Sequence, residues 1–408
     1  MIRRSVAALL LILVSSSGLL AGHPVLVNQE TTTPAGVVIP FEFVARHVLI
    51  KARINNSAPL SFILDTGDKV AIVDIGRAKS LGLKLEGSVN VGGAGAGTLK
   101  GSMVRDASLS VMGIEGVTQP VVMAIPLDGL APKFGHDIDG IIGADFISQF
   151  VVEIDYASRV LRLYDKAKFE YSGSGEAIPL TFVYGGYPVI SSEILIAGRE
   201  PIKGRFVIDI GSGGSLALHR PFVEREGLLA ATPKTIRAIG TGGAGGKVTG
   251  RSGRIAGIRI GKFQIDNLPT LFSEDKAGAF ANSDLQGNIG SLILTKFKVI
   301  FDYSRARMIL EPNASLPELI LPAGSGLRIV AEGANYKTYR IDELLEESPA
   351  TEAGFQAGDI VLAIDGHPAG DYTLSSLHEL LEKPLGRKIS VRRGDRTLEI
   401  TLTPRRLI

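Results

Sequence analysis

The chain has 408 residues, which is too many for a single hydrophobic core and indicates two or three domains. Its 49 glycines, its aromatic share of only 6% and its lack of tryptophan are typical of a turn-rich, mainly β protein. A formal net charge of +2, from 44 basic and 42 acidic residues, provides no electrostatic footprint for nucleic acid, and the lack of cysteine excludes disulfides.

The N-terminal segment has the composition of an export signal. Arg3 and Arg4 precede an apolar run from Val6 to Val14, and small residues follow up to Gly22. A charged start and a short apolar core predict a secretory signal peptide over residues 1–22. We therefore expect an exported protein, periplasmic or extracellular. The alternative is a membrane anchor that stays attached, so membrane contact is expected only if this segment is retained.

Beyond this segment the chain consists of short apolar runs broken by glycine, proline and asparagine, a pattern that predicts β-strands. Strands are expected at Val48–Ile54, Leu60–Leu64, Val151–Ile154 and Val160–Tyr164. Helical periodicity is confined to short segments such as Arg77–Leu81 and Pro221–Glu226. The fold class indicated is therefore mainly β.

The same landmarks occur twice along the chain, in the same order. Phe62–Gly67 recurs as Phe206–Gly211, Ile39–Val44 as Ile178–Val183, Ile141–Gly143 as Asn288–Gly290, and Phe150–Tyr156 as Phe297–Tyr303. Each copy has the length of a small domain and is too long for a solenoid repeat. We therefore predict two tandem all-β lobes, at residues 37–170 (lobe 1) and 176–314 (lobe 2), joined near Tyr171–Glu176.

Each lobe contains an apolar strand that ends in an Asp-x-Gly sequence. These sequences are Asp65-Thr66-Gly67 and Asp209-Ile210-Gly211. The strand fixes the direction of the carboxylate, and the glycine permits a tight turn in which backbone N–H groups face it. A single Asp-x-Gly is usually a turn with a capping aspartate. Two of them at equivalent points of a duplicated chain predict a catalytic pair.

Paired carboxylates suit acid–base chemistry because they share one proton. Two carboxylates about 4 Å apart repel each other by about 4 kcal/mol at an effective dielectric constant of about 20. Since about 1.4 kcal/mol corresponds to one pK unit, the two groups do not both ionise easily. One stays protonated while the other activates a water molecule. The sequence leaves open which of Asp65 and Asp209 holds the proton.

The residues from Val37 to Pro312 resemble the aspartic protease superfamily. Asp65-Thr66-Gly67 is similar to its active-site signature, and Val91–Gly97 is similar to the glycine-rich flap of retroviral members. Pepsin-like members carry both aspartates on one duplicated chain, and this chain resembles that kind, built from retropepsin-like lobes. The resemblance implies barrel-shaped lobes and an aspartic endopeptidase that acts on protein or peptide substrates, as a monomer and without a cofactor.

The resemblance also implies roles for residues around the aspartates. Support of the active-site loops is expected from Thr66, Gly67, Gly211 and Ser212, and the flap glycines are Gly92, Gly93, Gly95 and Gly97. A flap closes over a bound peptide and excludes water, which requires mobile backbone. An ordinary flexible hairpin is the alternative for Val91–Gly97 and for its counterpart Ile239–Gly246.

Two residues depart from the family pattern. Ile210 stands where the family has a Thr or Ser whose hydroxyl ties the two active-site loops together, so the tie is expected from Thr66 alone. Asp68 stands where Ser or Ala is usual, and its charge raises the pKa of the pair if the side chain faces it. The alternative function is therefore a catalytically inactive peptide-binding scaffold on the same fold.

The sequence contains no recognisable pattern for another catalytic chemistry. None of the six histidines stands in a recognisable triad context, and no cluster of His, Asp or Glu has metal-ligand spacing. We therefore expect no metal site. His219 is interpreted as a loop histidine, since Leu218-His219-Arg220 follows no catalytic pattern.

The composition changes at Pro312–Ser325, a segment rich in Pro, Ser and Gly that predicts a linker. Beyond it, the stretch from Ala357 to Gly366 resembles a bacterial PDZ domain, which implies an α+β domain at residues 325–408. Such a domain binds the C-terminal end of a peptide by strand addition. The residues expected to line that site are Gly326, Leu327 and Ile329, with Leu377 on the predicted helix Leu374–Glu382. Alternatively, the leucines are core residues.

Overall fold

The structure is a computed structural model, and it describes residues 36–239, 243, 246–320 and 324–408. The expected signal segment, residues 1–22, lies outside the described residues. So do most of the tip of the second glycine-rich segment and residues 321–323 of the expected linker. In the described part of the chain, no helix has the length and apolar character needed to cross a membrane.

Lobe 1 is a β-barrel with short helices at its edges. Its strands are β1 (Val37–Pro40), β2 (Glu42–Val44), β3 (His47–Ile54), β4 (Leu60–Leu64), β5 (Ile72–Asp74), β6 (Glu86–Gly92), β7 (Thr98–Val111), β8 (Ile114–Ile125), β9 (Gly140–Ile142), β10 (Phe150–Asp155) and β11 (Val160–Asp165). Its helices are α1 (Ile75–Ser80), α2 (Ala131–Phe134) and α3 (Ala144–Ile147). The sheet runs β2-β3-β4-β9-β5-β8-β7-β6, and an additional pairing of β3 with β7 closes it.

Lobe 2 repeats this architecture. Its strands are β12 (Glu176–Pro179), β13 (Thr181–Val183), β14 (Tyr187–Leu195), β15 (Ile202–Ile208), β16 (Leu216–Leu218), β17 (Thr235–Ile239), β18 (Thr249–Ile260), β19 (Phe263–Ser273), β20 (Gly287–Ile289), β21 (Phe297–Asp302) and β22 (Arg307–Pro312). Its helices are α4 (Arg220–Arg225) and α5 (Ser291–Leu294), with 3₁₀ turns at Ala279–Ala281 and Tyr303–Arg305. The order β13-β14-β15-β20-β16-β19-β18-β17, closed by β14 and β18, matches lobe 1 strand for strand.

The two lobes also share a sheet that the sequence did not predict. It runs β1-β11-β10-β21-β22-β12 and draws strands from both copies. At its centre β10 pairs antiparallel with β21, with Val152 opposite Phe301. The largest buried cluster contains residues of both lobes, so one core continues beneath the sheet. The lobes are therefore fixed relative to each other by backbone hydrogen bonds and by common packing.

The C-terminal domain has its own sheet and its own core. Its strands are β23 (Leu327–Glu332), β24 (Thr338–Leu344), β25 (Ile360–Ile364), β26 (His367–Pro368), β27 (Arg387–Arg393) and β28 (Arg396–Leu402), with helices α6 (Pro349–Glu352) and α7 (Leu374–Glu382) and a 3₁₀ turn at Ala369–Asp371. The order β23-β24-β25-β27-β28 leaves β23 at the edge of the sheet. A reciprocal capping box between Thr373 and Ser376 starts α7 at the predicted residue.

The expected linker is packed against lobe 2 in its described part. Ile320 is buried in the core of the lobes, and the Lys296 ammonium donates to the carbonyl oxygens of Ser315 and Glu318, at 2.7 Å each. Arg254 donates to the carbonyl oxygens of Ile320 and Ile408, at 2.9 and 3.2 Å. The segment predicted as a linker thus lies between β22 and β23, and its described part is held on lobe 2.

The shared sheet should be a main source of stability for the lobe pair. Met308 on β22 is fully buried, whereas Met112 in the turn between β7 and β8 is 59% exposed. We expect Met308→Ala to lower the free energy of unfolding by about 2–5 kcal/mol, because it leaves a cavity. Met112→Ala should change it by less than about 0.5 kcal/mol. Urea unfolding measures both, and equal effects would show that the sheet contributes little.

Candidate active site

Asp65 and Asp209 stand at equivalent points of the two barrels. Each follows the strand that pairs in parallel with a short buried strand, β4 with β9 and β15 with β20. Asp65 N–H donates to the carbonyl oxygen of Ile142, and Asp209 N–H donates to that of Ile289, both at 3.0 Å. The two carboxyl groups meet between the lobes, where they are half-buried and hydrogen-bonded to each other. The structure therefore brings together the two aspartates that the repeat predicted.

The glycines of both loops are required by the close approach of the aspartates. A Cβ atom at Gly211 would lie 2.0 Å from Oδ2 of Asp65, and one at Gly67 would lie 2.7 Å from Oδ1 of Asp209. Each glycine therefore makes room for the carboxyl group of the other lobe. Gly67 N–H also donates to Asp65 Oδ1 at 2.6 Å, and the N–H groups of Gly211 and Ser212 favour the charged form of Asp209.

The tie between the two loops comes from Thr66 alone. Its buried hydroxyl donates to the carbonyl oxygen of Ile208 at 2.6 Å and accepts from Ile210 N–H at 3.1 Å. Both bonds cross from lobe 1 to lobe 2. Ile210, the equivalent residue in lobe 2, has no hydroxyl and cannot form the reciprocal hydrogen bonds to lobe 1. Its side chain is fully buried in the core. The tie is therefore one-sided, as expected from the sequence.

An amide and a histidine distinguish Asp209 from Asp65. The Asn288 amide donates from Nδ2 to Asp209 Oδ2 at 2.9 Å, and its Oδ1 lies 3.0 Å from Nε2 of His219. His219 lies in the loop between β16 and α4, as expected, but it is buried, and with its proton on Nε2 the ring donates to Asn288 Oδ1 and leaves Nδ2 to face Asp209. The equivalent of Asn288 in lobe 1 is Ile141, which has no donor. The charged form is therefore favoured more at Asp209.

The pKa values of the pair are raised by burial and by mutual repulsion. Burial, then the charge of Asp209 and then that of Asp68, raise the pKa of Asp65 well above its ordinary range. Burial also raises the pKa of Asp209, whereas its hydrogen bonds with Asn288 and Asp65 oppose this shift. Both effects leave the shared proton on Asp65 and the charge on Asp209.

Asp68 faces the pair and acts on it as a third carboxyl group. It is hydrogen-bonded to Asp65, and burial, followed by the charge of Asp209, raises the pKa of Asp68 to about 7. Its carbonyl oxygen accepts from Ala144 N–H at 2.8 Å, which fixes the loop from which it projects. The departure from the family pattern at this position therefore places an additional titratable group beside the dyad.

The turn Ala45–His47 of lobe 1 packs against the loop of lobe 2 that carries Asp209. His47 Nε2 lies 3.0 Å from the carbonyl oxygen of Gly211, and its ring packs on that of Phe134 with centroids 4.8 Å apart. A Cβ atom at Gly213 would lie 2.9 Å from the His47 ring, so the loop and the turn are in close contact. Lobe 1 therefore supports the loop that carries Asp209.

The glycine-rich segment of lobe 1 forms the tip of the β6–β7 hairpin and reaches lobe 2. Ala279 N–H donates to the carbonyl oxygen of Gly93 at 3.1 Å. A Cβ atom at Gly278, where φ is +77°, would lie 2.3 Å from the carbonyl oxygen of Gly95. Of the expected flap glycines, Gly92 ends β6, and Gly93, Gly95 and Gly97 lie between β6 and β7. The tip of the hairpin therefore reaches across the gap between the lobes.

The residues expected to bind a peptide in the C-terminal domain lie at β23 and α7, which pack against each other. Gly326 (φ +79°) precedes β23, where a Cβ atom would lie 2.2 Å from Cβ of Ser348. Leu327 and Ile329 on β23, and Leu377 on α7, are buried in the core of the domain. The region between β23 and α7 is therefore apolar, and these side chains serve as core, which is the alternative that the sequence left open.

Two segments of the chain match known protein families. Residues 50–146, which include the first Asp-x-Gly loop, match a family model described as aspartyl protease, and residues 340–392 match one described as PDZ domain. The matches confirm the resemblance of lobe 1 to aspartyl proteases and of the C-terminal domain to PDZ domains, within a mainly β fold.

A search of solved structures found an aspartic proteinase from Irpex lacteus. The similarity has a TM-score of 0.45 at 12% identity and covers 70% of this chain and 99% of that chain. No curated protein was found to match.

Sequence reasoning missed Asn288, His219 and His47. The sequence did contain a clue to Asn288, because this polar residue takes the place that Ile141 has in the first copy of an otherwise apolar stretch. It contained none to His47 and His219, since their partners Gly211 and Asn288 are remote in sequence. Among the described residues, no group of three or more His, Asp and Glu side chains has the arrangement of a metal site.

The raised pKa of Asp68 predicts a pH-dependent cost to stability. Asp68 releases its proton near the ordinary value of 3.8 in the unfolded chain but near 7 in the folded protein. The folded state therefore binds more protons between these values, and the free energy of unfolding falls as pH rises through them. Asp68→Asn removes this loss, so the variant should be more stable than the parent at about pH 8 and similar at about pH 4.

Urea unfolding at the two pH values tests this expectation. The control is Asp128→Asn, which alters an exposed carboxyl group of lobe 1 and should change the free energy of unfolding little at either pH. A destabilised Asp68→Asn variant at the higher pH would contradict the position of this group beside the dyad.

Proposed function

We propose that the chain is an aspartic endopeptidase that hydrolyses peptide bonds with a water molecule activated by Asp65 and Asp209. The observation that carries this proposal is the hydrogen bond between two half-buried carboxyl groups from duplicated loops. The match of residues 50–146 to aspartyl proteases supports it. As part of the same proposal, the protein is exported and its PDZ domain recognises the C-terminal ends of peptides or substrates.

The roles of the two aspartates follow from their different surroundings. Asp209 is the ionised member, because Asn288 and two backbone N–H groups stabilise its charge, and it accepts a proton from the attacking water. Asp65 keeps the shared proton and donates a hydrogen bond to the carbonyl oxygen of the scissile peptide, whose negative charge develops as the water adds. The proton that Asp209 takes up then passes to the leaving amine, and the carboxyl pair returns to its initial state.

Substrate entry requires the flap to open. The Gly93–Ala279 hydrogen bond and the contact of Gly278 with the flap tip close the route from that side. A peptide backbone offers the same donors and acceptors and replaces this contact when it binds. The glycines of the tip lack side chains that would resist this movement.

Replacement of either aspartate should abolish hydrolysis. Asp65→Asn and Asp209→Asn remove the shared proton or its acceptor at nearly constant volume, so kcat should fall at least about 1,000-fold while circular dichroism stays unchanged. The measurement uses a mixture of quenched fluorescent peptides, with Asp128→Asn as the control that loses an exposed charge and keeps its activity.

The result also separates the enzyme from the inactive scaffold. Activity that survives in either variant would eliminate the dyad mechanism. A parent protein that binds peptides but hydrolyses none, over the whole pH range in which it is folded, would favour the catalytically inactive peptide-binding protein.

A further inference from the structure

The peptide groove of the PDZ domain, defined here as the space between β23 and α7, faces lobe 1. Strand β23 is an edge strand, and among the described residues it pairs only with β24. Its open edge is where a peptide would add as a further strand. Helix α2 of lobe 1 lies against β23. A segment of the same chain therefore stands beside the edge at which an external peptide would bind.

The end of α2 enters the mouth of this groove. A Cβ atom at Gly135 would lie 2.8 Å from Cβ of Leu374, the first residue of α7, and 3.5 Å from Cβ of Ala331 on β23. Gly135 thus lies between both walls, and its positive φ of +62° ends the helix at this point. A residue with a side chain would force the walls apart, so glycine permits the close fit.

Polar contacts hold lobe 1 and the PDZ domain together on both sides of Gly135. The Tyr336 hydroxyl donates to Asp137 Oδ1 at 2.7 Å. Ala45 N–H donates to the Ser375 hydroxyl on α7 at 3.4 Å, and Arg46 Nη2 lies 3.5 Å from Glu382 Oε1 at the other end of that helix. These are long or partly exposed contacts, each of modest strength. They fix the position of the domain but are weak enough for a ligand to replace.

We infer that lobe 1 occupies the peptide groove of the PDZ domain as an internal ligand, and that an external peptide C-terminus binds only when the two separate. The inference rests on the peptide-binding part of the proposed function. The external partner is a peptide with a free carboxylate and an apolar last residue, because the side chains that pack between β23 and α7, namely Leu327, Ile329 and Leu377, are apolar. Its apparent affinity is reduced by the fraction of molecules that are closed.

Separation of lobe 1 from the PDZ domain also affects the loop that carries Asp209. The turn that contacts α7 through Ala45 and Arg46 contains His47, which contacts Gly211. Peptide binding at the PDZ domain removes two anchors of this turn and weakens the support of the loop that carries Asp209. Binding at one site is therefore energetically linked to the geometry of the other.

Engineered cysteines can close or open the groove. The chain contains no cysteine, and the 3.5 Å between a Cβ at position 135 and that of Ala331 falls within the range of about 3.5–4.5 Å that a disulfide spans. The double variant Gly135→Cys, Ala331→Cys should therefore form a disulfide that locks lobe 1 in the groove. The single variant Gly135→Cys, when reduced, should loosen it, because the added Cβ meets Leu374.

Binding is measured with a fluorescein-labelled pool of decapeptides that end in leucine with a free carboxylate, in full-length protein. An Asp65→Asn background prevents hydrolysis of the probe, and the same pool with an amidated terminus reports nonspecific binding. Gly82→Cys is the matched control. It has a similar positive φ of +69° at the end of α1, but no described atom lies within 4 Å of its Cβ position.

We expect reduced Gly135→Cys to bind the probe several-fold more tightly than the parent, Gly82→Cys to bind like the parent, and the oxidised double variant to bind at least tenfold more weakly. Dithiothreitol should restore binding to the double variant. Equal binding by all proteins would overturn the inference and leave the proposed function standing. Failure of every protein to bind the probe would overturn the inference together with peptide recognition, while hydrolysis assayed with intact Asp65 tests the peptidase separately.

Discussion

The hydrogen bond between the carboxyl groups of Asp65 and Asp209 is the interaction on which the rest of the structure depends. Two carboxyl groups repel once both are ionised, so they stay together only if a proton is shared and the backbone holds them in place. The shared sheet β1-β11-β10-β21-β22-β12 fixes the lobes, and Thr66 ties the loops across them. Gly67 and Gly211 then allow each carboxyl group to approach the other. Together, these features bring the two carboxyl groups into contact.

The two halves of the duplication are no longer equivalent around the pair. Lobe 2 provides the Asn288 amide, oriented by His219, and the charged form of Asp209 is favoured in consequence. Lobe 1 provides Asp68, whose charge has the opposite effect on Asp65, and the flap that reaches lobe 2. A symmetric pair would share the proton evenly. The different neighbours assign a donor and an acceptor, which is the asymmetry that the proposed hydrolysis of a peptide bond requires.

The sequence predicted the features that depend on local pattern or on the repeat. The strands β3, β4, β10 and β11, the helix α7 and the two aspartates all follow from apolar spacing, capping or duplication. The shared sheet was not predictable, because the pairing of β10 with β21 joins strands far apart in sequence. The same reason hid the contacts of His47 with Gly211 and of Gly135 with the PDZ domain. Composition predicted the linker, but it could not predict that Lys296 holds the described part of this segment on lobe 2.

Carbon-13 NMR titration of the aspartate carboxyl groups measures directly whether Asp65 and Asp209 share one proton. Asp65→Asn and Asp209→Asn variants assign the two signals. We expect the two signals to shift together as one coupled pair, which keeps a single proton well above the ordinary aspartate pKa of about 4, and we expect this proton to reside mainly on Asp65. Two independent titrations near that ordinary value would show that the carboxyl groups do not share a proton and would contradict the account.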